Sequence, residues 1–414
     1  LHLLILDPHD RGHYLGYVRH LLSEAAFVPR VTAVLRRGIT NSEAFQQQLA
    51  GSAGRCDIDD AIRPESYRNP TLLREDLISA IQRHRPDHAW IPSADLLSLG
   101  ASLPGSLRRW TLAGHTEAEC GLVEIRFHRR PRRWRGYIRH RLQERALAAT
   151  PWTRIHTIDP TVMSWVGAKR DQLARRMDLV PDPVDPYTPI SKRHARTALG
   201  LPLEGRYVVA AGVHAIPRKG TGLLLKAFGA SALAPGDRLL LAGPLGSALA
   251  DTIAREYRHL LHADRLLTID RYLDPGTLMT ALSAADLVCT PYVDHWGSSA
   301  IVLQAAQAER PVLAPAQGWF ADIVPALGLG FVGDILDEGR LAAALPQAVA
   351  ATESFEPSPG SRRLVMYSDG RNFGRLWSRR LRTRLGIPPP DGILTWSDVV
   401  AAEEATESGD QHVA

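Results

Sequence analysis

Two strings hold the residues best suited to chemistry. Gly212-Val-His-Ala-Ile-Pro-Arg218-Lys219-Gly220-Thr221-Gly222 leaves an apolar run, turns through glycine and sets two adjacent cations before a helix-like segment. Free amide N–H groups and the helix dipole add to side-chain charge at such a start, which suits a di- or triphosphate. The string is neither a Walker loop nor a GxGxxG dinucleotide turn. Pro291-Tyr-Val-Asp294-His295-Trp296-Gly297-Ser298-Ser299-Ala300-Ile-Val-Leu-Gln304 also follows an apolar run, and it opens a helix with Gly-Ser-Ser. Serine is a favoured N-cap, so this is a second helix start fit for an anion. No Ser-His-Asp set, HExxH or CxxC pair is present. Asp57-Ile-Asp59-Asp60 has the look of a DxD metal motif but reads as part of a glycine- and arginine-rich loop, so no metal is expected.

The elements that must position these strings alternate. Apolar runs at Tyr207 to Ala211, Arg238 to Ala242, Leu266 to Ile269, Leu287 to Thr290 and Val312 to Ala314 are each followed by a helical pattern. The helices are expected at Thr221 to Ala230, Ser247 to His262, Pro275 to Ala284, Ser299 to Ala308 and Glu338 to Ala351. That rhythm is the signature of a doubly wound parallel sheet, and ligands of such sheets bind beyond the carboxyl ends of the strands. The first half repeats it with strands at Leu3 to Leu6, Val31 to Leu35, His88 to Ile91, Leu122 to Phe127, Arg154 to Ile158 and Asp178 to Val180. Pro181-Asp-Pro-Val-Asp-Pro186 can continue neither sheet and reads as a linker. The expected architecture is α/β, two facing Rossmann-like domains with a central cleft. The boundaries are residues 1–180, a linker and second-domain start at 181–205, a second domain at 206–370, a C-terminal helix at 371–390 crossing back to the first domain, and an acidic, mobile tail at 391–414.

Composition narrows the functional classes. The 414-residue chain is 45% hydrophobic and 22% charged, which is globular. No apolar run approaches the ~18 residues of a membrane span, and a cytoplasmic protein is expected. Cys56, Cys120 and Cys289 are far apart, without disulfide or zinc spacing. The net charge of +5 is carried by arginine, with lysine only at positions 169, 192, 219 and 226, a skew that points to a GC-rich bacterial genome. Nine arginines fall between Arg126 and Arg145, opposed only by Glu144. Within them Trp134, Ile138 and Leu142 share one helical face. Either the stripe packs into its own domain, or the Arg129–Arg145 segment lies on an anionic membrane surface. There is no nucleic-acid-binding module.

These residues resemble the retaining glycosyltransferases of family 4, which have the GT-B fold. The resemblance runs through the RKG loop, LLLAG at Leu239 to Gly243, AADLVCTPY at Ala284 to Tyr292, HWGSS at His295 to Ser299 and RPVLAP at Arg310 to Pro315. It is looser in the first half, at Arg11-Gly12-His13 and Arg85 to Asp95. It implies metal-independent transfer of a sugar from a nucleotide-sugar co-substrate to a glycan, lipid-linked or small-molecule hydroxyl, with retention of configuration and without a cofactor. Arg218, Lys219 and His295 are the implied catalytic residues. Donor contacts are implied at Gly12, His13, Gly212, Gly243, Arg271, Tyr272, Gly297, Ser298, Ser299, Ala300 and Gln304. The family carries two glutamates eight positions apart where this chain has Trp296 and Gln304. Indole cannot accept hydroxyl hydrogen bonds, whereas Gln304 keeps one acceptor oxygen. The alternative is a non-catalytic GT-B module that binds a nucleotide sugar or serves as a partner subunit.

Overall fold

The computed structural model describes residues 1–10, 14–100, 116–123, 125, 128, 134–169 and 172–401. It divides into two compact units: Leu1–Pro186 with Trp296–Ala300 and Ser368–Ile393, and Tyr187–His295 with Ile301–Tyr367 and the chain from Leu394.

The first unit holds a seven-stranded parallel sheet of β1 (His2–Asp7), β2 (Arg30–Arg36), β3 (Asp57–Ile62), β4 (His88–Ile91), β5 (Glu117–Leu122), β6 (Arg154–Thr157) and β7 (Met177–Leu179), in the order β3-β2-β1-β4-β5-β6-β7. Strand β1 is buried along its whole length. Its alternation sends Leu4 and Leu6 into one core and Leu3 and Ile5 into the other, as a sheet covered on both faces requires. Helices Tyr14–Glu24 and Gly370–Arg384 cover the Leu3 face. The second is arginine-rich, yet Phe373, Trp377 and Leu381 recur at helical spacing and are all buried. Gly374 lets the two helices meet closely, since a Cβ there would strike the His20 carbonyl and the Glu24 side chain.

Two sequence expectations are corrected in this unit. The strand expected at Leu122 to Phe127 is Glu117–Leu122, ending where it was expected to begin. Its glutamates hid it, and Glu119 is tolerated inside because His156 lies 2.9 Å away on β6. The Asp57-Ile-Asp59-Asp60 loop is an edge strand, β3, where Asp59 is held by Arg83 and His84, each at 2.6 Å.

The second unit carries β8 (Tyr207–Ala211), β9 (Arg238–Ala242), β10 (Leu266–Ile269), β11 (Leu287–Cys289), β12 (Val312–Pro315) and β13 (Gly330–Gly333), in the parallel order β10-β9-β8-β11-β12-β13. Helices Thr221–Ala230 and Glu338–Ala351 pack over one core face through Leu224, Leu225, Phe228, Leu341 and Leu345. The helix expected over Ser247 to His262 is broken at Tyr257 into Ser247–Glu256 and Arg258–His262. Strand β13 is short and glycine-flanked, and no apolar run announces it. Near the C-terminus, Trp396–Val400 forms a helix with a capping box between Thr395 and Asp398. Residues 402–414 of the expected tail lie outside the described residues.

Candidate functional site

In both sheets the strand order reverses beside the first strand, between β1 and β4 and between β8 and β11. The loops leaving the two strands at such a point diverge and leave a crevice, the usual ligand position of an open α/β sheet. In the second unit those loops are the two strings singled out from sequence. They are tied together: the Val293 amide donates to the Arg218 carbonyl at 2.8 Å. Gly220 sits at a φ of 66° as N-cap of helix Thr221–Ala230, and a Cβ there would run into the Pro291 carbonyl. Only glycine satisfies both the left-handed turn and that approach.

This frame holds Lys219 back over the end of β8. Its ammonium donates to the Tyr292 hydroxyl at 2.8 Å and lies 4.1 Å from that ring's centroid. A Cβ on Gly212 would sit 3.4 Å from Lys219 Nζ, so the charge rests against the first turn after β8. Tyr292 is itself buried, edge-on to His295 and Phe320. Gln317 donates to the carbonyls of Tyr292 and His295 at 3.3 and 3.4 Å, which fixes their loop. Arg218 is exposed and reaches His295 Nδ1 at 3.3 Å. The result is one pinned cation, one outward cation and an imidazole at the mouth of a switch-point crevice, an arrangement able to neutralise a phosphate group.

Beside it, loops 214–217 and 245–249 and the starts of helices Thr221–Ala230 and Ser247–Glu256 enclose a cleft of about 400 Å³. His214 lies in its wall, buried, with Nδ1 3.0 Å from Thr221 Oγ1. Burial pushes its pKa down to about 4, and Lys219 adds to the depression. The ring is therefore neutral at physiological pH.

The first unit has a corresponding feature at its own switch point. Asp7, fully buried at the end of β1, accepts from the His9 amide and lies 2.8 Å from His9 Nδ1, while Tyr14 stacks on the imidazole at 3.8 Å. Burial works against charge on His9, but Asp7 outweighs it and raises the pKa above the ordinary value. No sequence motif marks this pair, because nothing local shows that Asp7 is buried at the end of β1.

No family model matches the chain. A stretch of 152 residues, 34% of the chain, is 38% identical to the D-inositol 3-phosphate glycosyltransferase of Mycolicibacterium smegmatis and covers 33% of that protein. The chain thus matches about a third of the length of this curated relative. HepE of Anabaena, solved in complex with UDP, superposes with a TM-score of 0.62 over 92% of this chain and 100% of its own, at 14% identity. Sucrose-phosphate synthase of Thermosynechococcus elongatus does so with a TM-score of 0.65 over 93% of this chain and 99% of its own, at 15% identity. The fold is GT-B.

On this GT-B frame the residues singled out from sequence divide by unit. Gly212, Arg218, Lys219, Gly243 and His295 lie in the second unit at or near the ends of β8, β9 and β11. Arg271 and Tyr272 follow β10 and are exposed, and Gln304 is half-buried in helix Ala300–Gln307. Gly297, Ser298, Ser299 and Ala300 cluster with the first unit, where Ser298 donates to Asp182 at 2.9 Å. Gly12 and His13 lie outside the described residues, as do Arg129 to Arg133 of the basic segment. The remainder forms helix Trp134–Ala148, and its stripe does not pack inward: Trp134 is 69% exposed, Tyr137 54%, Ile138 48% and Leu142 49%. Among the described residues no three His, Cys, Asp or Glu side chains gather as a metal site, and no helix is long and apolar enough to cross a membrane.

Proposed function

We propose that this chain is a glycosyltransferase that moves a sugar from a nucleotide-sugar donor to an acceptor hydroxyl, with retention of configuration and without a metal ion. The observation that carries the reading is Lys219, pinned by Tyr292 over the end of β8 at the switch point of the second sheet. The GT-B fold, the partial match to an inositol phosphate glycosyltransferase and the UDP and UDP-glucose complexes of HepE support it. When the bond between the sugar and the diphosphate breaks, negative charge accumulates on the leaving phosphate. A cation fixed there beforehand binds the transition state more strongly than the bound donor. Lys219, with Arg218 and His295, takes that role, and Gly212, Gly243, Arg271, Tyr272 and Gln304 are proposed donor contacts alongside residues 297–300. In the first unit, the carboxylate-backed imidazole of His9 is the group suited to an acceptor hydroxyl.

The exposed Trp134, Tyr137, Ile138 and Leu142, interleaved with arginines, support a peripheral position on an anionic membrane face. The test begins with thermal shifts against UDP-, GDP-, ADP- and dTDP-sugars, because a ligand at about 100 times its Kd stabilises a fold by roughly 2.7 kcal/mol. Transfer is then followed by NMR of the product's anomeric proton, with and without EDTA, starting from D-inositol 3-phosphate, the compound in the relative's name. An inverted product refutes retention, and loss of rate in EDTA refutes metal independence. Donor binding with no transfer to any acceptor favours the non-catalytic module, the reading that Trp296 and Gln304 motivate.

A further inference from the structure

The proline-rich linker segment Pro181–Pro186 is held by several contacts within the first unit. Tyr17, on helix Tyr14–Glu24, is 1% exposed, and its hydroxyl donates to Asp182 Oδ1 at 2.7 Å. The other oxygen of the same carboxylate accepts from Ser298 Oγ at 2.9 Å. Asp182 is 8% exposed, so each oxygen of a buried carboxylate is satisfied by one hydroxyl. Three residues on, Asp185 is paired with Arg19 and His20 of the same helix, and the hydrogen bond from His20, with the Arg19 charge, holds its carboxyl well below the usual range. The linker between them is clamped in turn, because the Val184 amide donates to the Ser368 carbonyl at 2.8 Å and its carbonyl accepts from Gly370 at 3.1 Å. Asp182 is therefore a fixed point.

Ser298 is tied to that point two residues before helix Ala300–Gln307 begins, and residues Trp296–Ala300 pack with the first unit. Losing either hydroxyl would strand a buried carboxylate oxygen, so the position of one hydroxyl bears on the other. We propose that Tyr17 and Asp182 are positioning residues for nucleotide binding, acting through Ser298 to fix the turn that presents the first amides of helix Ala300–Gln307. The proposal rests on the glycosyltransferase reading. It gives a buried tyrosine of the first unit, with no role in phosphate contact, a measurable effect on donor affinity.

The test is a double-mutant cycle on the full chain. UDP, GDP, ADP and dTDP are titrated calorimetrically, and the tightest of them is carried into Tyr17→Phe, Ser298→Ala and the double variant. Each single change is expected to weaken nucleotide binding about 3- to 10-fold, the worth of one hydrogen bond. The double variant should be little weaker than either single one, since both act through one carboxylate. Ser298→Thr, which keeps the hydroxyl, should restore affinity. With a working transfer assay, Tyr17→Phe should raise the donor KM and leave kcat nearly unchanged. Tyr17→Phe that lowers the melting temperature yet binds nucleotide like the unaltered chain overturns the proposal, as do fully additive losses. If the unaltered chain binds none of the four nucleotides, the glycosyltransferase reading fails first and the proposal falls with it.

Discussion

Lys219→Met removes the ammonium and keeps most of the apolar stem, so it isolates the charge. In the structure that ammonium is fixed at the second sheet's switch point, 2.8 Å from the Tyr292 hydroxyl and 4.1 Å from its ring centroid. Fixation matters because a preorganised charge needs no rearrangement as the leaving group develops its own. Removing one such donor costs about 10²- to 10³-fold in rate, ~2.7 to 4 kcal/mol. Lys219 is half-buried and methionine keeps most of its apolar stem, so the fold should survive. Tyr292→Phe is the intermediate case: the ring stays under the ammonium, the acceptor oxygen goes, and a loss of about 10-fold is expected. Arg218 is exposed, and its interaction with phosphate is screened by solvent, so Arg218→Ala should cost less than Lys219→Met, also about 10-fold. The Arg218/Lys219 double variant should fall short of additivity, because both act on one phosphate group. The assay is steady-state transfer with the donor identified by thermal shift, with circular dichroism melts to verify folding. A folded Lys219→Met enzyme with near-normal kcat would refute the leaving-group assignment.

Four further outcomes are expected. His214, with a folded pKa of about 4 against an ordinary value of 6.5, binds fewer protons folded than unfolded between those limits, so stability is lost as pH falls through that window, by up to ~3 kcal/mol; urea midpoints at about pH 7.5 and about pH 4.5 should differ less in His214→Gln, and an unchanged difference contradicts the assignment. Gly220→Ala forces a side chain into a φ of 66° and against the Pro291 carbonyl, so a loss of roughly 1 to 3 kcal/mol in a denaturant melt is expected, accompanied by weaker nucleotide binding. Gln304→Ala should raise the donor constant by about 0.5 to 1.5 kcal/mol with kcat little changed, and Gln304→Glu should be tolerated; misfolding of the alanine variant would mark Gln304 as a structural helix residue. The chain should cosediment with anionic but not neutral liposomes, release as salt rises, and bind less after Trp134→Ala; equal binding to neutral vesicles rules out the electrostatic reading.

Most of the second sheet was legible because its strands are buried on both faces and so stand out as continuous Val and Leu runs. Helices Thr221–Ala230 and Glu338–Ala351 were readable to the residue, since one begins after the N-cap Gly220 and the other after the N-cap Asp337, whose side chain accepts from the Arg340 amide. Strands β3 and β5 were hidden by their carboxylates. Asp59 is admitted by Arg83 and His84 from a neighbouring helix, and Glu119 by His156 from a neighbouring strand. No local pattern carries such partners, because the compensation comes from residues 24 to 37 positions away.

The same limit applies at the candidate site. The Arg218-Lys219 string could be read from its place before a helix, but that Lys219 is the cation held over the end of β8 depends on Tyr292, 73 positions downstream of it. Tyr17, Asp182 and Ser298 are harder still, because they lie in a helix, a linker and a loop that sequence treats as unrelated. The linker was identified by its prolines, which explain why it cannot join a sheet. They leave unexplained the two aspartates between them. A linker meant only to be flexible has no use for a carboxylate that is 8% exposed and accepts a hydroxyl on each oxygen, since ordering both partners costs conformational entropy that a loose tether would keep. The prolines therefore mark where the sheet ends, while Asp182 between them is explained only by the two hydroxyls that the fold brings to it from 165 positions upstream and 116 positions downstream.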